Sequence, residues 1–214
     1  MSKGAFLRAR RPEHKEQRRE AILAAARELA LQSGVGKVSL GAVAEAVGLA
    51  KSNLARYFAT REEIFLELSV REWQDWERAA CEQLEAGADV VDALVDTIVV
   101  RPLFCDLVAH SSLTLEHNIT REAARAFKLG VLAATGNIAR AVARARPDLT
   151  ERETVELVGA TAGFASMLYP AANPPPVLAE LYATDPEVAA ACIPFGPTVR
   201  RAVAAIAAGL PALR

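Results

Sequence analysis

The sequence predicts an all-α protein: a small N-terminal helix-turn-helix domain followed by a larger helical domain. Three observations carry this. Apolar residues recur at the i, i+3/i+4 spacing of helices along nearly the whole chain, and no stretch alternates convincingly with the period of a strand. Cap residues (Ser39, Thr60, Thr120, Thr150, Asp185) stand where that pattern starts, and glycines (Gly34, Gly48, Gly87) where it breaks. The chain is 52% hydrophobic but only 6% aromatic and rich in alanine, the best helix former.

Residues 1–12 read as a basic flexible tail, 13–59 as the helix-turn-helix domain and 60–214 as the C-terminal domain. A first helix from about Glu13 to Gln32 carries the stripe Ile22, Ala25, Ala26, Leu29, Ala30, and Gly34 follows as a left-handed cap. Ser39 caps a short helix, Leu40 to Val47, that buries Val43, Ala44 and Val47; Gly48 ends it. A third helix spans Lys51 to Phe58. Thr60 and Glu63 form a capping box, so a long helix starts there and runs through Glu85. Further helices are expected over Val90 to Val100, Pro102 to about Glu116, Thr120 to Arg146, and from the second box, Thr150/Glu153, to about Tyr169. Residues 170–176, PAANPPP, read as a rigid extended spacer. Short pieces at 177–183 and 186–192 precede a last helix from Pro197.

The formal net charge of −1 hides an asymmetry: residues 1–61 carry +7 and residues 62–214 carry −8. A basic first quarter points to a polyanion as its partner. No apolar run approaches the roughly 18–20 residues of a membrane span, and the basic N-terminus lacks the apolar core of a signal peptide. Three scattered cysteines (Cys81, Cys105, Cys192) fit reduced thiols in a cytoplasmic protein. Cys105, Asp106, His110 and His117 cluster in sequence, but Cys105 and His110 lie on different helix faces, so no metal or cofactor is expected. Ser111 and Ser112 follow His110 without a nucleophile elbow, and no phosphate loop is present; an enzyme is not expected.

Two short helices joined at Gly48 are a helix-turn-helix. The stretch RREAILAAARELALQSGVGKVSLGAVAEAVGLAKSNLARYFATREEIFLEL, residues 18–68, resembles the TetR family of repressors. The matching positions are Ile22, Ala25, Ala26, Leu29, Gly34, Ser39, Val43, Ala44, Gly48, Leu54, Tyr57, Phe58 and Arg61. Two departures stand out: Ala50 where the family often has a Ser or Thr cap, and Ala55 where it usually has Tyr. Lys51, Ser52, Asn53 and Arg56 are the candidates for reading bases in the major groove, with Asn53 suited to adenine and Arg56 to guanine. The alternative for these four is capping or solvated charge. Tyr57, Arg61 and Ser39 resemble the family's phosphate-clamping positions, and Leu54 and Phe58 anchor the helix. Arg8, Arg10, Arg11 and Lys15 can add a basic arm on the duplex.

The resemblance also implies a homodimer on a palindromic operator in double-stranded DNA and a small-molecule effector domain. Its dimer surface would use Val155, Val158, Gly159, Ala162 and Gly163 with Val199, Val203, Ile206 and Leu210, unless these form an ordinary core face. Its pocket would draw on Trp73, Trp76, Phe104, Leu107, His110, Leu113, His117, Phe127, Phe164, Met167 and Leu168, each of which could equally be core. The expected effector is apolar and neutral or anionic. The implied mechanism is a ligand-driven population shift that moves the reading heads out of register. A DNA-binding regulator controlled by a protein partner, or an activator, remains the alternative.

Overall fold

The computed structural model describes residues 3–214, with side chains from His14 onward except Ser112. Among the described residues every regular element is a helix. The head comprises α1 (Lys3–Ser33), a 3-10 turn (Val35–Lys37), α2 (Leu40–Ala46) and α3 (Lys51–Leu54). The body comprises α4 (Arg61–Glu85), α5 (Val90–Val99), α6 (Pro102–His110), a π-helical turn (Ser111–Leu115), α7 (Arg121–Ala145) and α8 (Glu151–Ala172). It is completed by α9 (Pro176–Thr184), α10 (Pro186–Ala189), α11 (Phe195–Gly209) and a final 3-10 turn (Leu210–Leu213).

Most boundaries follow the cap chemistry. The hydroxyls of Ser39, Thr60, Thr120 and Thr150 accept the N–H groups of Ala42, Glu63, Ala123 and Glu153, and Asp89 and Asp185 cap α5 and α10. Four expectations need correction. The stretch 3–12 continues α1 as helix, because Leu, Ala, Arg and Lys are strong helix formers; the side chains of Arg8, Arg10 and Arg11 lie outside the described residues. The third helix is one turn, not two. Beyond Leu54 the amides of Arg56 and Tyr57 bond three residues back, to Asn53 and Leu54, and tighten the chain so that Phe58 turns into the core. Only half of the Thr60 box forms: Glu63 accepts from the Ala59 N–H at 3.0 Å and from the Thr120 hydroxyl at 2.7 Å, which ties the starts of α4 and α7 together. The spacer is helical to Ala172, with Pro170 inside α8, and Asn173 closes the end on the Tyr169 carbonyl.

Two apolar clusters form the interior. The first joins Ile22, Leu23 and Ala26 of α1 to Val43, Ala44, Leu54, Phe58, Ile64, Phe65 and Leu68, and is closed by Leu103, Leu107, Leu115 and Phe127. The second holds Trp73, Trp76, Leu94, Ile98, Phe104, Ile138, Val142, Leu157, Val158, Val199 and Val203. The rings of Trp73, Trp76 and Phe104 pack against one another in tilted and edge-on contacts with centroids 5.0–5.5 Å apart, and the Trp76 Nε1–H donates to Thr97 Oγ1 at 3.0 Å. Helices α4 and α7 approach closely at Gly130, where a Cβ would stand 2.6 Å from a Val70 methyl. No described helix is long and apolar enough to cross a membrane.

Trp76 is fully buried at the centre of the body, so Trp76→Ala is expected to cost about 3–5 kcal/mol of stability. Urea unfolding of the two proteins measures this, with the first cluster unfolding together with the second.

Candidate nucleic-acid interface

The turn before the reading segment is a Schellman motif. The Gly48 N–H bonds the Glu45 carbonyl at 3.0 Å and the Leu49 N–H bonds the Ala44 carbonyl at 2.8 Å. Gly48 sits at φ 66°, a conformation that is costly for a residue with a Cβ. The chain then enters α3 with Ala50 at the cap position and no side-chain bond there. Leu54 and Phe58 are buried, and each such burial contributes about 1.5–3 kcal/mol. With these two fixed, Lys51, Ser52, Asn53, Ala55 and Arg56 face outward and are exposed. None of the four polar ones has a side-chain partner among the described residues. Ser39 is exposed beside α2, its oxygen accepting from the Ala42 N–H at 3.1 Å, which leaves the hydroxyl proton free to donate.

Tyr57 is half-buried, and its carbonyl accepts from Arg19 at 2.8 Å. The same Arg19 lies over the Phe58 ring, 4.0 Å from its centroid, and pairs with Glu67 of α4. It locks the reading segment to the first and fourth helices. No local pattern points to this role, because Arg19 sits in a run of basic residues and its three partners are 38 or more positions away.

Arg61, expected at phosphate, is engaged inside the chain. Its guanidinium donates to the carbonyls of Val35 and Val38, pairs with Glu62 at 3.3 Å and lies over the Phe65 ring. From the other side Asp106 of α6 accepts the Val35 N–H at 2.7 Å. His110 Nδ1 lies 3.2 Å from the Asp106 carboxylate and 2.9 Å from its backbone carbonyl. The bond to Asp106 raises the His110 pKa above its ordinary value, against burial and the Arg61 charge. Burial pushes Asp106 up, but the bonds from His110 and the Val35 N–H outweigh it and hold the carboxyl below its ordinary range.

The expected pocket residues are not gathered round one cavity. Trp73, Trp76, Phe104 and Leu107 are buried in the two clusters, Leu168 packs half-buried against the second, and His110 belongs to the contact with Val35. Phe127 lines a cavity of about 260 Å³ between head and body, with Arg19, Tyr57, Phe58, Glu63, Leu66 and Val70. Leu113 and Met167 share an open groove of about 340 Å³ with Val108, Ala109, Ser166 and Pro170. Phe164 and Met167 line an apolar hollow of about 170 Å³ with Ala160 and Gly163. His117 is exposed in the turn beyond the π-helical segment. Cys105 is buried, its thiol pushed up to about 12 by burial, and no group of three or more metal-ligating side chains occurs among the described residues.

Of the expected dimer residues, Val158, Ala162, Val199, Val203 and Leu210 are buried within one chain and Ile206 is half-buried. Val155, Gly159 and Gly163 are exposed along one face of α8, and both glycines open onto empty space.

A helix-turn-helix head carrying an outward polar face, set on an all-helical body, defines a DNA-binding transcription regulator. Residues 22–68 match the family described as bacterial regulatory proteins, tetR family. Residues 69–214 match its tetracyclin repressor-like C-terminal domain. The chain belongs to the TetR family. Among solved structures it is similar to Thermus thermophilus FadR, a TetR-family transcriptional repressor in complex with lauroyl-CoA. That likeness has a TM-score of 0.57 at 16% identity and covers 90% of this chain and 92% of that one. No curated protein matches the sequence.

The raised His110 pKa fixes a pH dependence. Its stabilising contribution is complete below the ordinary value of 6.5 and is lost as pH rises through the higher folded-state value. Between about pH 6 and about pH 9 the wild type is therefore expected to lose more thermal stability than His110→Gln. Parallel melting curves check this.

Proposed function

We propose that the protein is a ligand-responsive repressor that binds a palindromic operator as a homodimer. The observation that carries this reading is the exposed, unpartnered set Lys51, Ser52, Asn53 and Arg56, held rigidly by the buried Leu54 and Phe58 directly after the Gly48 turn. Polar side chains that serve only solubility need no such anchoring. Arg56 is the candidate for a bidentate guanine contact and Asn53 for adenine, while Lys51 reaches guanine or phosphate. The Ser39 hydroxyl and Tyr57 contact phosphate beside them. Arg61 acts through the turn that it holds.

A two-fold dimer suits this head, because one such surface is too small to be specific and two read an inverted repeat spaced by about 34 Å or a multiple. The exposed α8 face of Val155, Gly159, Gly163 and Met167 supports the contact, since small residues without intramolecular neighbours let two helices approach closely. On α11 the half-buried Ile206 borders exposed Ala204 and Ala208.

The effector we favour is small and apolar. The open groove at Leu113, lined also by Val108 and Ala109, is its candidate entrance, and the shared fold of FadR with its lauroyl-CoA makes acyl compounds the first class to screen. Release from DNA would follow a shift of α4, which enters both clusters. Control by a protein partner instead would leave operator binding unchanged across such a screen.

Selection of bound duplexes from a random pool supplies the operator. On it, Arg56→Ala is expected to lose about 1–3 kcal/mol in each half-site and relax preference at one position there. Lys51→Ala should weaken all sequences more evenly and reduce the salt slope by about two, one phosphate contact per subunit. Fluorescence anisotropy titrations at several salt concentrations separate the two, and undiminished affinity in both variants would refute the groove assignment.

A further inference from the structure

Two helices of the body grip one turn of the head. The turn is Val35–Lys37, between α1 and α2. Arg61, at the start of α4, takes the Val35 and Val38 carbonyls, and Asp106, in the middle of α6, takes the Val35 N–H at 2.7 Å. Both polar groups of the Val35 residue are thus held by side chains of the body, while its own side chain is fully buried in the first cluster. His110 braces Asp106 from the next turn of α6, and its ring lies so close to the turn that a Cβ on Gly36 would stand 3.0 Å from Nε2. Val38 leads directly into Ser39, the cap of α2. Where this turn sits therefore sets where α2 begins and where the 51–56 face points.

Helix α6 is suited to carry motion to that point. One side of it, Leu103 and Leu107, belongs to the first cluster; the other, Phe104 and Cys105, belongs to the second. It ends in the π-helical turn Ser111–Leu115, where the Glu116 N–H reaches the Ser111 carbonyl at 3.0 Å. Such wide turns are rare and concentrate at functional sites. This one follows His110 immediately and borders the open groove at Leu113.

We propose that Asp106 is a positioning residue for DNA binding: its bond to the Val35 N–H fixes the angle at which the body presents the reading head, and with it the half-site spacing that the dimer accepts. It touches no DNA. The proposal rests on the reading of the chain as an operator-binding dimer, and it makes the α6–turn contact, in addition to the covalent α4 link, a route between body and head.

The test uses the full-length protein and a pool of inverted repeats in which only the spacing between half-sites varies, together with a duplex carrying one half-site. The wild type is expected to enrich one spacing. Asp106→Ala should bind neighbouring spacings to within about threefold of the best one and lose about tenfold on the wild-type spacing. Its affinity for the single half-site should stay within about twofold. Asp106→Asn keeps an acceptor for the Val35 N–H and should restore the narrow spacing. His110→Ala, at a half-exposed site whose loss leaves the clusters intact, should broaden it part-way. An unchanged spacing profile in both alanine variants overturns the proposal. So does an equal loss on every spacing and on the single half-site, which is the signature of a merely destabilised head. A wild type that enriches no paired site overturns the functional reading and the proposal together.

Discussion

One unbroken helix passes through both apolar clusters, and the rest of the molecule is arranged around that constraint. The first turns of α4 place Ile64, Phe65 and Leu68 among the head residues; the later turns place Trp73, Trp76 and Ala80 in the body. No flexible linker intervenes. The helix is then fixed along its length by the Thr120–Glu63 bond at one end and the Gly130–Val70 approach further on. A head mounted this way cannot swivel independently. In the proposed repressor, a ligand-driven population shift would act through α4 and through the contact between α6 and the Val35–Lys37 turn.

The same constraint redistributes the charge. The +7 of the first 61 residues pointed to a polyanion as partner, yet much of that charge is paired within the protein. Arg19 pairs with Glu67, Arg27 with Glu72 and Arg61 with backbone carbonyls, while Glu20 is taken up by Arg71. What remains at the reading face among the described residues is Lys51 and Arg56, with Lys37 exposed nearby. In the proposed complex, base readout would therefore fall on few side chains. Ala55, where the family usually carries an aromatic, is exposed between them and offers a duplex only a methyl group. The uncapped Ala50 start is tolerated because Leu54 and Phe58 hold the segment from below.

The fold was legible wherever a local rule decides. Ser39, Thr120 and Thr150 cap as their hydroxyls demand, and Gly48 and Gly87 take positive φ as end glycines do. The α3 segment came out shorter than its period suggested because a tertiary demand, the burial of Phe58, overrides the helical repeat. Pro170 misled because a single proline can be accommodated in the last turns of a helix whose end is closed by Asn173. At the candidate site, outward Lys51, Ser52, Asn53 and Arg56 could be read from spacing to Leu54 and Phe58. The roles of Arg19, Arg61 and Asp106 could not, since the backbone groups they hold lie 23 to 71 positions away and no sequence period links them. The apolar residues of α8 and α11 show the same limit. Periodicity names the apolar face, and only packing decides which part of it the chain keeps for itself.

The most direct test of this account is guanine methylation interference on the selected operator, read with the wild type and with Arg56→Ala. Methylation at N7 blocks the major-groove edge of a single guanine. One sensitive guanine is expected in each half-site for the wild type, related by the two-fold axis, and that sensitivity should be lost in the variant. Wild-type binding that tolerates methylation at every guanine, or the same interference pattern in both proteins, would contradict it.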